Sequence, residues 1–516
     1  MSVKYPIGIQ NFEKLRKDGY IYVDKTALMY QLVDRGSYYF LSRPRRFGKS
    51  LLISTLEAYF EGKRELFEGL AVEKLEKDWV KRPVLHLDLN TEKYEDPESL
   101  ENILNDTLCY WERIYGTEPS ETSLPLRFKG IIRRAHEQTG HRVAILVDEY
   151  DKPMLQAIGN EELQKSFRSI LQAFYSVIKT MDGSIKFAFL TGVTKFGKIS
   201  VFSALNNLND LSMWDEYVAL CGITEQELHD NFEEGINKLA QAQGMTYDEV
   251  CSELKECYDG YHFVENSIGI YNPFSLLNTF AKQKFGNYWF ETGTPTYLVE
   301  LLKMHNYDLH NIENVETDED TLNSIDSSST NPIPVIYQSG YLTIKDYDRE
   351  FGTYYLGFPN REVDEGFMKF LLPFYTDTDK VDVAFHINKF VREVRSGDYD
   401  AFFRRLQSFF ADTPYELVRD LELHYQNVLF IVYKLIGFYV KAEYHTSQGR
   451  IDLLLQTDKF IYVMEFKFEG TAEEALRQIN EKNYALPFAS DPRKLFKIGI
   501  NFSNEMRNIE RWVVEE

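Results

Sequence analysis

The sequence predicts an α/β protein built from two large domains with a small module between them. Three observations carry this. Apolar strand-like runs alternate with helical segments through the first 205 residues. A polar stretch, 316–334, rich in Asp, Ser, Thr and Asn, reads as a loop or linker. A second series of helix, strands, helix and strand closes the chain. At 516 residues the chain is also too long for one ordinary core.

The elements follow in order. Residues 37–42, Ser-Tyr-Tyr-Phe-Leu-Ser, read as a buried strand, and 49–60 as a helix with Leu51, Leu52, Leu56 and Phe60 on one stripe. A strand at 84–89 and a helix at 97–115 follow. The runs 143–147 and 187–190 are apolar throughout, as parallel strands covered on both faces are. Residues 1–205 are therefore expected to fold around a parallel sheet. The stretch 206–300, with helical segments at 225–243 and 247–257, reads as a helical lid. Residues 301–375 hold the linker and two short strands, 341–344 and 354–358, around a charged turn, which fits a small winged-helix-like module. In 376–516, Leu421, Tyr425, Val428, Leu429, Val432 and Leu435 share one helical face. Strands at 450–456 and 460–468, a helix at 472–483 and a strand at 495–502 follow in the order helix, strands, helix, strand, for which an αβββαβ domain is expected.

Bulk composition narrows the function. Hydrophobic residues at 44% and aromatic residues at 15% indicate folded protein throughout. The net charge of −22 argues against a general nucleic-acid coat but leaves room for a local basic groove. Cys109, Cys221, Cys251 and Cys257 form no CxxC pair, and reduced thiols fit a reducing cytosol. No secretory signal opens the chain, and no run approaches the ~20 apolar residues of a membrane span. A cytoplasmic protein with no membrane contact is expected.

Near the N-terminus, Arg43-Pro44-Arg45-Arg46-Phe47-Gly48-Lys49-Ser50 joins the first strand to its helix. The end of this segment matches the phosphate loop GxxxxGK[ST], although Arg43 stands where the first glycine belongs. Backbone amides from Arg46 through Leu51, at the start of the helix, would face an anion. Lys49 would bridge the β- and γ-phosphates of ATP, and Ser50 would ligate Mg²⁺. Arg43, Arg45 and Arg46 add positive charge beside the loop. An isolated Gly-Lys-Ser carries little, but the apolar run 143–147 leads into Asp148-Glu149. There Asp148 would hold Mg²⁺ and Glu149 would activate the attacking water. The spacing of about 100 residues, with a strand between, suits a P-loop ATPase of AAA-like type. Thr191, ending the strand 187–190, sits where a γ-phosphate sensor belongs, with Thr194 as a second candidate.

The C-terminal cluster is Gly449-Arg450-Ile451-Asp452 followed by Glu465-Phe466-Lys467. Glu465 and Lys467 lie two apart on one strand, so they share a sheet face. A hairpin would bring Asp452 near Glu465, and two facing carboxylates call for a cation, with Mg²⁺ the natural occupant. Such an ion would stabilise charge on a scissile phosphate while Lys467 positions water. Glu422, with Gln426 one turn later, offers a further carboxylate, and Gln478 follows on the next helix.

At these residues the chain resembles bacterial and archaeal AAA-ATPase-like proteins fused to a PD-(D/E)XK nuclease-superfamily domain. The N-terminal resemblance rests on Tyr5-Pro6-Ile7-Gly8, Tyr22-Val23-Asp24-Lys25-Thr26, the loop through Ser50, and Asp148-Glu149-Tyr150-Asp151-Lys152-Pro153. It continues through Leu190-Thr191-Gly192-Val193-Thr194-Lys195-Phe196, the 202–208 segment, Tyr258-Asp259-Gly260-Tyr261, Tyr271-Asn272-Pro273-Phe274-Ser275 and Tyr337-Gln338-Ser339-Gly340-Tyr341. Glu422, Tyr425-Gln426, Asp452, Glu465, Lys467 and Gln478 carry the C-terminal part. The resemblance implies a restriction-endonuclease-like C-terminal domain. It also makes Arg43 a departure from the general phosphate loop but not from this family's form of it.

The leading expectation is an ATP-hydrolysing protein whose lid and middle module regulate a metal-dependent nuclease acting on nucleic acid, with DNA favoured. The alternatives are a nucleic-acid binder with a non-cutting nuclease fold and a nucleotide-driven signalling switch. AAA-like ATPases often form rings, so a homo-oligomer is compatible with the sequence, which fixes no subunit number.

Overall fold

A computed structural model describes residues 3–195, 207–291, 297–323, 325, 331–376, 378–379, 381–411, 421–447, 450–503 and 505–516. For residues 291, 297, 444–447 and 450–452 only the backbone is described. Motif residues Phe196, Phe202–Asn206 and Gly449 fall outside the described set. The chain divides into two compact units, one of residues 1–292 and 314–362, the other of 293–313 and 363–516.

The first unit is built on five parallel strands: β1 (Tyr38–Ser42), β2 (Val84–Asp88), β3 (Val143–Asp148), β4 (Ile185–Gly192) and β5 (Asn209–Asp210). Their order is β2-β3-β4-β1-β5. Strands β1 and β3 are buried along their whole length, which is why their sequences are unbroken apolar runs. The helix Lys49–Phe60 leaves β1 and packs on β3. Helices Pro97–Tyr115, Leu124–Thr139 and Glu161–Thr180 pack together, with the Phe128 and Phe174 rings stacked at 4.5 Å. Because β4 lies between β1 and β3, the ends of all three strands open on one edge of the sheet. This is where open α/β sheets bind ligands.

The lid contains helices Glu225–Gln243, Tyr247–Tyr258 and Pro273–Lys282, and the two-residue strands β6 (Ile223–Thr224) and β7 (Ile270–Tyr271). Thr224 and Thr246 each form a reciprocal capping box, with Glu227 and Glu249, which sets where the first two helices begin. Leu228, Phe232, Ile236, Leu254 and Phe280 fill the space between them. The 301–375 stretch is shared between the units. Its part in the first unit contains β8 (Val315–Thr317), β9 (Thr343–Asp348) and β10 (Thr353–Gly357), an antiparallel sheet with β10 in the centre. Short helices Glu319–Asn323 and Ile333–Gln338 lie between β8 and β9. The 316–334 segment is thus not a bare linker: it holds the end of β8, one helix and the start of another.

The second unit carries the helix Leu421–Gly437, β11 (Lys441–Ser447), β12 (Arg450–Gln456), β13 (Phe460–Lys467), the helix Ala472–Glu481, β14 (Lys494–Ser503) and β15 (Asn508–Glu515). The strands run in sequence order, with β13–β14 the parallel pair and the rest antiparallel. A parallel pair needs a crossover, which the helix Ala472–Glu481 supplies. This is the expected αβββαβ order, extended by β15.

The two faces of β13 are covered differently. Ile461 and Val463 pack under Ile479 of the Ala472–Glu481 helix. The alternate positions turn the other way: Tyr462 donates its hydroxyl to Val394 O at 2.6 Å, and Phe466 meets Phe403 and Tyr433. The crossover helix lies so close to the sheet that a Cβ on Gly499 would stand 2.1 Å from Ala472 O and 2.4 Å from Leu476 N. Backbone atoms cannot yield as a flexible side chain can. Gly499→Ala should therefore cost the second unit about 2 kcal/mol or more in denaturant unfolding of the full chain. Unchanged stability would show that the helix does not sit this close.

Candidate phosphate-loop and carboxylate sites

The loop after β1 is shaped by two left-handed residues, Arg46 (φ 67°) and Gly48 (φ 95°). A Cβ at Gly48 would meet nothing within 4 Å, so its backbone angle, not crowding, calls for glycine there. No side chain caps the helix that begins at Lys49. Its first-turn amides, from Lys49 to Leu51, have no partner within the helix and suit an anion. The Lys49 ammonium, 4% exposed, donates to the carbonyls of Arg43 (3.1 Å) and Pro44 (3.3 Å) and lies 3.7 Å from Glu149 Oε1. The loop thus folds around its own lysine.

Arg43 does not add charge beside the loop, contrary to the sequence expectation. Its side chain is 1% exposed and donates to the carbonyls of Ser42 (2.9 Å) and Ser212 (2.8 Å), with its guanidinium 3.9 Å from the Phe263 ring centre. Burial pulls its pKa down to about 10. It ties the end of β1 to the segment after β5 and to the lid. Arg46 is exposed, 5.1 Å from the Phe274 ring centre, and Trp289 donates its indole N–H to Arg45 O at 3.1 Å. A cavity of about 100 Å³ adjoins Gly48, lined by Ile21, Val23, Phe47, Leu51, Ile223 and Pro273 among others.

Asp148, at the end of β3, is 5% exposed. Its Oδ1 accepts from the Thr191 hydroxyl at 2.6 Å and from the Glu149 amide at 3.1 Å. Glu149 itself adopts φ 53°, a conformation that non-glycine residues keep only where their surroundings enforce it. Thr191 and Thr194, both proposed as sensors, direct their hydroxyls at carboxylates: Thr191 at Asp148, and Thr194 at Asp151, also at 2.6 Å. Asp151 follows three residues after Asp148 in the same motif. It is fully buried and accepts from the amides of Val193 and Thr194 as well, joining the β3 exit to the β4 exit. Burial, followed by the Glu149 charge, raises its carboxyl to about 6.

In the second unit, strand register does the assembling. Asp452 stands directly opposite Glu465 across β12–β13, and Arg450 opposite Lys467. Directly opposed residues share a face, so the Asp452, Glu465 and Lys467 positions lie on the Ala472–Glu481 side of the sheet. Glu465 is fully buried and Lys467 partly exposed. A Cβ on Gly470 would stand 2.6 Å from Glu474 Oε2 and at ordinary contact distance, 3.6 Å, from Lys467 Cδ. Gln478, half-buried, is on the helix covering this face. Glu422 accepts from Gln426 Nε2 at 3.2 Å. Its helix packs on the opposite face, where Tyr425 stacks on Phe502 at 4.7 Å.

Residues 6–202 match the family described as predicted AAA-ATPase, and residues 420–512 match the PD-(D/E)XK nuclease superfamily. Over 523 aligned positions, 99% of each chain, the protein is 36% identical to an uncharacterized protein in the vnfD 5′ region of Azotobacter chroococcum mcd 1. The chain belongs to this family of AAA-ATPase-like proteins with a C-terminal PD-(D/E)XK domain. The phosphate loop, Asp148-Glu149 and Thr191 fall within the first span, and Glu422, Asp452, Glu465, Lys467 and Gln478 within the second, while the motifs at 258–261, 271–275 and 337–341 lie outside both.

The donors at both sites are oxygens: Ser50 and Asp148 in the AAA-ATPase-like domain, Asp452 and Glu465 in the PD-(D/E)XK domain. This set fits a hard divalent cation. Among the residues whose side chains are described, no three His, Cys, Asp or Glu gather into a metal-holding group; Asp452 is not among these. Sequence reading also passed over Asn501, 6% exposed, which pairs with Lys467 across β13–β14. Its only sequence signal is one amide in an apolar strand.

Asp151 yields a pH prediction. Its folded pKa of about 6 exceeds the unfolded carboxyl value, so the fold binds its proton more tightly. Its contribution to stability therefore grows as pH falls through 6 toward about 4, and is lost as pH rises. The parent's stability margin over Asp151→Ala should widen by about 1 kcal/mol from about pH 7 to about pH 5 in denaturant titrations. A margin that narrows would contradict this.

Proposed function

We propose that this protein hydrolyses ATP at the β1–β3–β4 edge and uses nucleotide binding to govern a nuclease centre on β12–β13 that cuts DNA. The observation that carries the ATP half is the Lys49 ammonium, buried 3.7 Å from Glu149 beside an uncapped helix start. The nuclease half is supported by the Asp452–Glu465 register, with Lys467 two residues on.

The chemistry follows from the groups present. Lys49 would exchange its two loop carbonyls for β- and γ-phosphate oxygens. Amides from Arg46 to Leu51 would cradle the phosphates, and the apolar cavity beside Phe47 and Leu51 would take the base. Glu149 would orient the attacking water, while Thr191 holds the Asp148 carboxylate in place. At the second centre Lys467 would position water or steady charge developing on the scissile phosphate. Magnesium, held by Ser50 and Asp148 at one centre and by Asp452 and Glu465 at the other, would supply Lewis-acid neutralisation of phosphate oxygens. Coupling is supported by lid and module residues that touch the phosphate loop: Trp289 holds Arg45 O, and Gly340 packs on Pro44 so closely that a Cβ would stand 2.5 Å from the proline Cβ.

Purified protein on single- and double-stranded DNA and on RNA, with Mg²⁺ and with or without ATP, tests this reading. Lys49→Ala should lower ATP turnover by about 100-fold or more, and Glu149→Gln by roughly 10²–10⁴ while nucleotide still binds. Glu465→Gln should abolish cutting but leave ATP turnover intact. Parental behaviour of both Lys49→Ala and Glu465→Gln would refute both assignments.

A further inference from the structure

A second polar pair lies beside Lys467, on strands the nuclease motif does not include. Asn501 of β14 is the direct ladder partner of Lys467. On its other side, β15 carries a bulge: Asn501 pairs with Arg511 and Phe502 with Ile509, which leaves Glu510 as the extra residue. In a regular ladder Glu510 would face away from Arg511 and Asn501. A bulge re-aims such a side chain. Here the Glu510 carboxylate accepts from Asn501 Nδ2 at 2.8 Å.

That contact fixes the amide's orientation by chemistry alone. An ionised carboxylate can only accept, so the NH₂ group must face β15 and Oδ1 must face the other way. The neighbour on that side is β13, and the residue opposite is Lys467, whose ammonium can only donate. Resting on the nuclease reading above, we infer that Asn501 is a positioning residue for Lys467. Its amide oxygen, turned by Glu510, holds the ammonium toward the scissile phosphate. The bulge gives the NH₂ group of Asn501, 6% exposed in the otherwise apolar run Ile498–Phe502, a partner in Glu510, and a buried amide is costly without one.

Full-length parent and variants are assayed for Mg²⁺-dependent DNA cutting, for DNA affinity in Ca²⁺ and for thermal unfolding. Asn501→Ala should lower kcat by about 10–100-fold, with KM and DNA affinity within about twofold of the parent. In a Lys467→Ala background the same change should have no further effect, because the residue acts only through Lys467. Asn501→Asp sets two carboxylates face to face and should lose activity, whereas Asn501→Asp with Glu510→Gln restores a donor–acceptor pair and should recover it. This pair decides the matter if Asn501→Ala unfolds. Parental kcat in Asn501→Ala, an equal loss in the Lys467→Ala background, or failure of the double exchange to recover cutting would overturn the inference. A parent that does not cut, or a Glu465→Gln protein that does, sinks the nuclease reading and this one with it. A cutting parent with a silent Asn501→Ala sinks only this one.

Discussion

The first unit depends on how a buried lysine is kept charged. An ammonium removed from water is costly unless donor sites and charge are both matched. Lys49 meets that demand with two carbonyls of its own loop and one carboxylate from the neighbouring β3 exit. The loop conformation, the left-handed Gly48 and Glu149, and the placement of β4 between β1 and β3 all serve this arrangement. Carbonyl oxygens are weak substitutes for phosphate oxygens. The same geometry that satisfies the lysine without ligand would therefore favour exchanging those carbonyls for a triphosphate.

The surrounding carboxylates are tiered by what they touch. Asp148 is pinned by the Thr191 hydroxyl, and Asp151 is spent on the amides and hydroxyl at the β4 exit. Glu149, between them, is left facing the lysine. The β3 and β4 exits are therefore hydrogen-bonded into one piece. Lys195, just beyond, extends that piece to Asp210 at 3.0 Å and to Gln338 through its amide at 2.6 Å. In the second unit, strand register replaces a loop as the organising device. Asp452 and Glu465 are opposed by the hairpin, and Gly499 lets the crossover helix close down on the same face.

Much of this was legible in the sequence, because local chemistry sets it. The helix Lys49–Phe60 begins at its glycine, Pro97–Tyr115 at the Asp96 cap, and Glu225–Gln243 at the Thr224 capping box. Strands β1 and β3 are evident as unbroken apolar runs. The edge strands β11 and β15 are polar and lack clean alternation, so no local pattern marks them. Arg43 was misread because its partners, Ser212 and Phe263, are more than 150 residues away and its charge alone suggested phosphate. Asp151 and Asn501 escaped notice for a related reason. The partners of Asp151, Val193 and Thr194, lie just beyond β4, and the Asn501–Glu510 pair exists only because of a bulge that periodicity does not reveal.

The central claim is that the Lys49 cluster exists to bind a nucleotide triphosphate. The most direct measurement is thermal unfolding of the full chain with Mg²⁺ and a non-hydrolysable ATP analogue, beside the Lys49→Ala protein. At about 100 times the dissociation constant, binding adds about 2.7 kcal/mol to the liganded fold. The first unit's transition should rise by several degrees in the parent and stay unmoved in Lys49→Ala. No rise in the parent, or an equal rise in both proteins, would contradict it.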